Sequence, residues 1–114
     1  MQVYFLVLNK VECLETLMER MMSEGLSGAT VLESTGMMKV LFDEDSDQPM
    51  FGILRNILNP ERKGSKTLFM VLRDEQLPLV RSIVEEVTGG LDQPDTGIAF
   101  SVPTVYVEGL AKQA

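Results

Sequence analysis

The residues best placed to do chemistry are glycines and charges. Thr88-Gly89-Gly90 is followed by Asp92-Gln93-Pro94-Asp95-Thr96-Gly97, a run of turn-forming residues. Glycines at a helix end free the backbone for positive φ. A loop of this kind, at a helix-to-strand junction, can point unpaired N–H groups at an anion. The same residues equally suit a tight turn that binds nothing. A second group is cationic: Lys39, Arg55, Arg62, Lys63, Lys66 and Arg73, six of the ten Lys and Arg residues, fall between positions 39 and 73. In an acidic chain that concentration is either a candidate anion site or a solvated basic loop. A third group, Asp43-Glu44-Asp45-Ser46-Asp47, has the alternate-aspartate spacing of a calcium loop. Gln48 stands where such a loop needs glycine and Leu54 where it needs a bidentate glutamate, so a solvated acidic loop is the reading.

Other chemistry is poorly supplied. The chain has no histidine, which removes the commonest general base and the commonest transition-metal ligand. The one cysteine, Cys13, lies at the start of a helical pattern without an evident partner, and reads as a small, partly buried side chain. No carboxylate pair is singled out by spacing, so no catalytic residue and no metal site is assigned, and an enzyme is not expected. A net charge of −7 opposes general binding to nucleic acid. A single cysteine allows no intrachain disulfide, and a reducing cytoplasm is the expectation. No apolar run is long enough to span a bilayer, and Met1 to Leu8 is too short, without a basic lead-in, for a signal peptide.

The elements that must position these residues follow from periodicity. At 114 residues the chain is expected to be one domain, 1–114. Gln2 to Leu8 is a strand, with Val3, Phe5 and Val7 on one face and Tyr4, Leu6 and Leu8 on the other. Val11 to Glu24 is an amphipathic helix with Val11, Leu14, Leu17, Met18 and Met21 on its stripe, stopped by Gly25. Ala29 to Ser34 is a second strand, running into Thr35-Gly36. Lys66 to Leu72 is a third, apolar on both faces. Asp74 is placed to cap a helix over Glu75 to Val87, with Pro78 tolerated in its first turn. Ile98, Phe100 and Val102 alternate with Ala99 and Ser101 in a last strand, interrupted by Pro103 and resumed over Thr104 to Val107. The order β-α-β-β-α-β is the split βαβ, ferredoxin-like plan of an α+β domain.

That plan has a consequence for assembly. Two helices cover one face of a four-stranded sheet, yet strands one and three are apolar on both faces, so the second face also requires cover. A cyclic homo-oligomer packed through its sheets is the economical solution. Between strands two and three lies a long middle loop, residues 42–65, far more than a hairpin needs. Within it Pro49 to Leu58 reads as a short amphipathic helix. Phe51, Ile53, Leu54 and Ile57 are its candidate docking residues, and packing on its own subunit is the competing reading.

Thr88-Gly89, a loop, and then Gly97-Ile98-Ala99-Phe100-Ser101-Val102-Pro103 resembles the loop and final strand of the nitrogen-regulatory P-II signalling proteins. The resemblance extends to the element order and to Gly28 to Gly36. It implies a ferredoxin-like subunit in a homotrimer that binds a small anionic metabolite, an adenine nucleotide in the family's usual case, in clefts between subunits. The loop between strands two and three then signals to a transporter or an enzyme. By position, Thr35, Gly36, Met37, Met38 and Lys39 would line the base of that loop. Thr88, Gly89, Gly90 and Gly97 would form the phosphate-side loop of the neighbouring subunit, and Arg55, Arg62 or Lys66 could fold over the cleft to substitute for a missing charge partner. Ile98 stands where the family carries its phosphate-binding lysine, and Met38 stands at the position of its loop-base glutamine. An ATP triphosphate would therefore lack its main charge partner here. The alternative function is a ligand-free interaction module that docks a partner through the 50–58 helix.

Overall fold

The computed structural model describes residues 1–41 and 64–110. They form a small α+β domain: β1 (Gln2–Leu8), a 3-10 turn (Val11–Cys13) leading into α1 (Leu14–Ser23), β2 (Thr30–Ser34), α2 (Met37–Leu41), β3 (Ser65–Leu72), a second 3-10 turn (Asp74–Gln76) leading into α3 (Leu77–Thr88), and β4 (Gly97–Pro103). The sheet runs β2-β3-β1-β4 with every neighbouring pair antiparallel. β3 thus inserts between the two strands that α1 connects, and β4 lies on an edge, where its terminal Pro103 removes no interior hydrogen bond.

The alternation read from β1 decides which face is dry. Tyr4, Leu6 and Leu8 are buried beside Leu68, Met70 and Leu72 of β3, and α1 and α3 close over them with Leu17, Met21, Val80, Ile83 and Val84. The opposite face is also apolar. Val3, Phe5 and Val7 lie there beside Val71 and Phe69 on one side and Val102, Phe100 and Ile98 on the other. Phe5 stacks on Phe100 with ring centroids 4.9 Å apart, and meets Phe69 at 6.0 Å with the rings tilted. In the single chain this ladder is open: Ile98 is 61% and Phe100 48% exposed.

Local chemistry sets the boundaries. α1 ends in a Schellman arrangement, with Gly25 N–H donating to the Met22 carbonyl and Leu26 N–H to that of Met21. Pro78 sits in the first turn of α3, as its fixed φ allows. Several expectations are corrected. Val11 lies in the 3-10 turn and is exposed, not part of the buried stripe. Asp74 does not cap α3: the Gln76 side chain accepts from Arg73 N–H at 2.9 Å, while Asp74 receives Gln2 Nε2 and the N-terminal amine. Thr104 to Val107 do not resume the strand. The ladder ends at the Gln2–Pro103 pair, followed by one bond from Thr104 N–H to the Met1 carbonyl, because proline offers no N–H and fixes φ. α2, five residues long, was not anticipated. The expected helix within 49–58 lies outside the described residues.

Gly97, the first residue of β4, is where glycine is required. Its φ is +154°, and a Cβ there would sit 2.5 Å from the Val7 carbonyl oxygen and 3.3 Å from Leu8 Cα, both backbone. Gly36 has open space around the same position and no positive φ. Gly97→Ala is expected to destabilise the fold by about 2 kcal/mol or more, through strained φ and a forced parting of β1 from β4. Gly36→Ala should stay within about 0.5 kcal/mol of the parent. Urea unfolding of the two variants checks the contrast.

Candidate functional site

Four chain ends meet at one end of the sheet. The pairings Ser34↔Ser65, Lys66↔Leu8 and Leu8↔Gly97 align the end of β2, the start of β3, the end of β1 and the start of β4. Both groups of candidate ligand residues are therefore at this end. Thr35 and Gly36 follow β2, with Met37, Met38 and Lys39 on α2. Thr88, Gly89, Gly90 and Gly97 surround the α3-to-β4 loop. They occupy opposite edges. Three strand spacings of about 4.8 Å put them roughly 14 Å apart, so one chain does not bring the two groups together.

The glycine loop is tightly bonded to itself. Gly89 caps α3 in the left-handed region at φ +86°, and its N–H donates to the Glu85 carbonyl. Thr88 is buried, donating Oγ1–H to the Val84 carbonyl at 2.6 Å and accepting Gly90 N–H at 3.2 Å. Gln93 N–H returns to the Gly90 carbonyl, and the Thr96 carbonyl accepts both Asn9 and Lys10 N–H. Lys10 Nζ donates to the Thr88 carbonyl at 3.1 Å, and Cys13 Sγ meets the Val87 carbonyl at 3.6 Å. Lysine at a helix C-terminus is favourably placed against the dipole. The loop thus sits at the negative end of α3, and the Gly89 and Gly90 amides have acceptors already. The tight-turn reading describes its local geometry. An anion at this position would draw on other donors.

The second group is open. Met37, Met38, Val40 and Leu41 are all exposed, so α2 presents an apolar surface on a short helix. Beneath its start, Ser34 and Ser65 hydroxyls lie 2.6 Å apart, and Thr67 Oγ1 donates to Ser34 Oγ at 2.8 Å. Of the six clustered cations, Lys39, Lys66 and Arg73 are among the described residues. Lys66 opens β3 and Arg73 follows its far end, roughly 23 Å away at the rise of a strand. Lys66 pairs with Glu33 and Arg73 with Glu75. Arg55 and the docking residues Phe51, Ile53, Leu54 and Ile57 lie outside the described residues, as does the acidic run 43–47. Among the described residues there is no group of three or more His, Cys, Asp or Glu side chains arranged to hold a metal, and no helix long and apolar enough to cross a membrane.

A third feature was not foreseen. A groove of about 710 Å³ runs between α3 and the edge strand β4, floored by Tyr4 and Ala99 and rimmed by Arg81, Glu85 and Asp92. The register puts Ala99 opposite Leu6 and Ser101 opposite Tyr4, on the helix-covered face, where side chains this small leave the space beside α3 unfilled. Alternating small residues within the last strand were the available signal. Burial pushes the Tyr4 phenol up to about 12 from 10.0, against an opposing pull from the Arg81 guanidinium.

The phenol stays protonated in the folded chain to higher pH than in the unfolded one. Folding stability is therefore unaffected by this group below pH 10 and falls as pH rises through about 12, where the buried phenol must ionise. The full difference corresponds to about 2–3 kcal/mol. Denaturant unfolding from pH 9 to 12 should show this loss in the parent and its removal in Tyr4→Phe. A parallel loss in both would mean that other groups carry it. Comparison with protein-family models and with curated proteins finds no match to this chain.

Proposed function

We propose that the chain is a divergent P-II-like regulatory protein of ferredoxin-like fold, assembling as a homotrimer through its open sheet face. It binds a small anionic metabolite between subunits and signals through the 42–65 loop. The observation that carries this reading is the placement of the two candidate groups at one end of the sheet but on opposite edges. A closed ring that sets the β2 edge of one subunit against the β4 edge of the next would bring Thr35–Lys39 and Thr88–Gly97 together. The stacked and exposed Phe5–Phe100 ladder supports self-association, because apolar area of this kind is unfavourable in water.

The ligand is constrained by the same residues. Ile98, 61% exposed, replaces a cation, and the glycine amides are committed within their loop. These features favour an anion smaller or less charged than ATP, with Lys39 and Arg55 as its candidate cations. The protein acts in the cytoplasm by regulation, not by catalysis, and does not engage nucleic acid. The exposed apolar α2, which leads straight into residues 42–65, favours a second reading. In it the loop, with its 50–58 segment, docks a transporter or an enzyme without any ligand.

Sedimentation velocity tests the assembly, and thermal shift against ATP, ADP, AMP, cyclic AMP, 2-oxoglutarate, bicarbonate and S-adenosylmethionine tests the ligand. The parent should sediment as a trimer and Phe100→Glu as a monomer. A ligand at about a hundred times its dissociation constant should add roughly 2.7 kcal/mol of stability. Gly36→Glu, which meets open space, should weaken that ligand without unfolding the chain. A monomeric parent overturns the assembly, and a flat screen on a folded trimer transfers the function to the docking reading.

A further inference from the structure

We propose that the groove between α3 and β4 is a binding site for a small zwitterion of the amino-acid class. The cavity arises from the fold itself. α3 buries Val80, Ile83 and Val84, and the inward residues of β4 beyond them are only Ala99 and Ser101. The resulting space, about 710 Å³, falls within the range of small-ligand pockets. It opens on the helix side of the sheet at the β4 edge, with Gly90 and Phe100 also on its wall. The site does not rest on the trimer reading.

Its polar groups are arranged for a ligand that bears both charges. Tyr4 is 3% exposed, yet among the described residues its hydroxyl has no hydrogen-bond partner. A buried hydroxyl left unpaired is unfavourable and needs a partner from outside the chain. The phenol is a donor at neutral pH, well below even the ordinary tyrosine value of 10.0. Arg81 also lines the groove, carries donors only, and makes no ion pair among the described residues. Two neighbouring donor groups call for an acceptor, and a carboxylate suits both. Glu85, one turn further along α3, and Asp92 in the loop line the same groove. A plain monoanion would enter a space holding two carboxylates against one guanidinium. An ammonium group on the ligand reverses that disadvantage, and Leu77, Leu91 and Ala99 receive an apolar body between the charged ends.

The test is a titration of the isotope-labelled full chain with a panel of the free proteinogenic amino acids at millimolar concentration, followed by amide shifts. At least one amino acid should perturb Leu91, Ala99 and Ser101 saturably. Its amide, which lacks the carboxylate, and its N-acetyl form, which lacks the ammonium, should each bind at least tenfold more weakly. Tyr4→Phe and the exposed Arg81→Gln should each weaken binding about tenfold while the rest of the spectrum stays native. The proposal is overturned if no panel member shifts these amides, if amide or N-acetyl forms bind as well as the free amino acid, or if Arg81→Gln leaves affinity unchanged. Sedimentation of the same sample reads the assembly separately, so failure here and failure of the trimer are distinguishable.

Discussion

Two helices packed side by side are roughly 20 Å across, enough to roof one face of a four-stranded sheet and no more. Much in this protein depends on that limit. The roofed face takes Tyr4, Leu6 and Leu8 of β1 and Leu68, Met70 and Leu72 of β3, the sheet's share of the core. The unroofed face keeps an aromatic ladder in water, with Phe5 between Phe69 and Phe100. At the β4 edge the roof is incomplete even on its own side, and small residues leave a groove there. One covering limit thus leaves an exposed apolar surface on one side of the sheet and a groove on the other.

The loop between α3 and β4 shows how backbone accounting constrains chemistry. A glycine-rich segment after a helix offers N–H groups in principle. Here the Thr88 hydroxyl takes one, the Glu85 carbonyl takes another, and the Gly90 carbonyl engages Gln93. The helix end it follows is the negative one, and Lys10 answers that charge from β1's far end. The loop's main local product is therefore rigidity. It fixes the register of Gly97 against Val7 and Leu8, and through them the edge on which β4 lies.

The fold was legible where side-chain periodicity coincided with burial. β1 and β3 are apolar on both faces and bounded by polar residues, so their limits could be read to within a residue. α1 and α3 were legible because Leu17, Met21, Val80 and Val84 repeat on the buried side. α2 was not, because its apolar residues face solvent and five residues are too few to show a period. Of the basic concentration, the described part shows the limit of closeness in sequence: the length of β3 lies between Lys66, near its start, and Arg73, just past its end. The groove was legible only in part: small residues alternate in β4, but the space also depends on where α3 rests across the sheet, which no local pattern encodes.

Fold and ligand are therefore separable questions in this chain. Element order and sheet order follow from the pattern of apolar residues along the chain. Ligand identity depends on a few side chains and backbone donors, and here the Gly89 and Gly90 amides are already bonded within their own loop. A buried phenol beside a guanidinium, neither with a partner among the described residues, is the opposite case, a polar arrangement that the scaffold does not need for its own stability. Removing the hydroxyl would relieve the core of an unsatisfied group, so its presence at the floor of a groove calls for a cause outside the fold. That asymmetry, dispensable to folding but suited to a carboxylate, gives the groove the stronger claim to a ligand within a single chain.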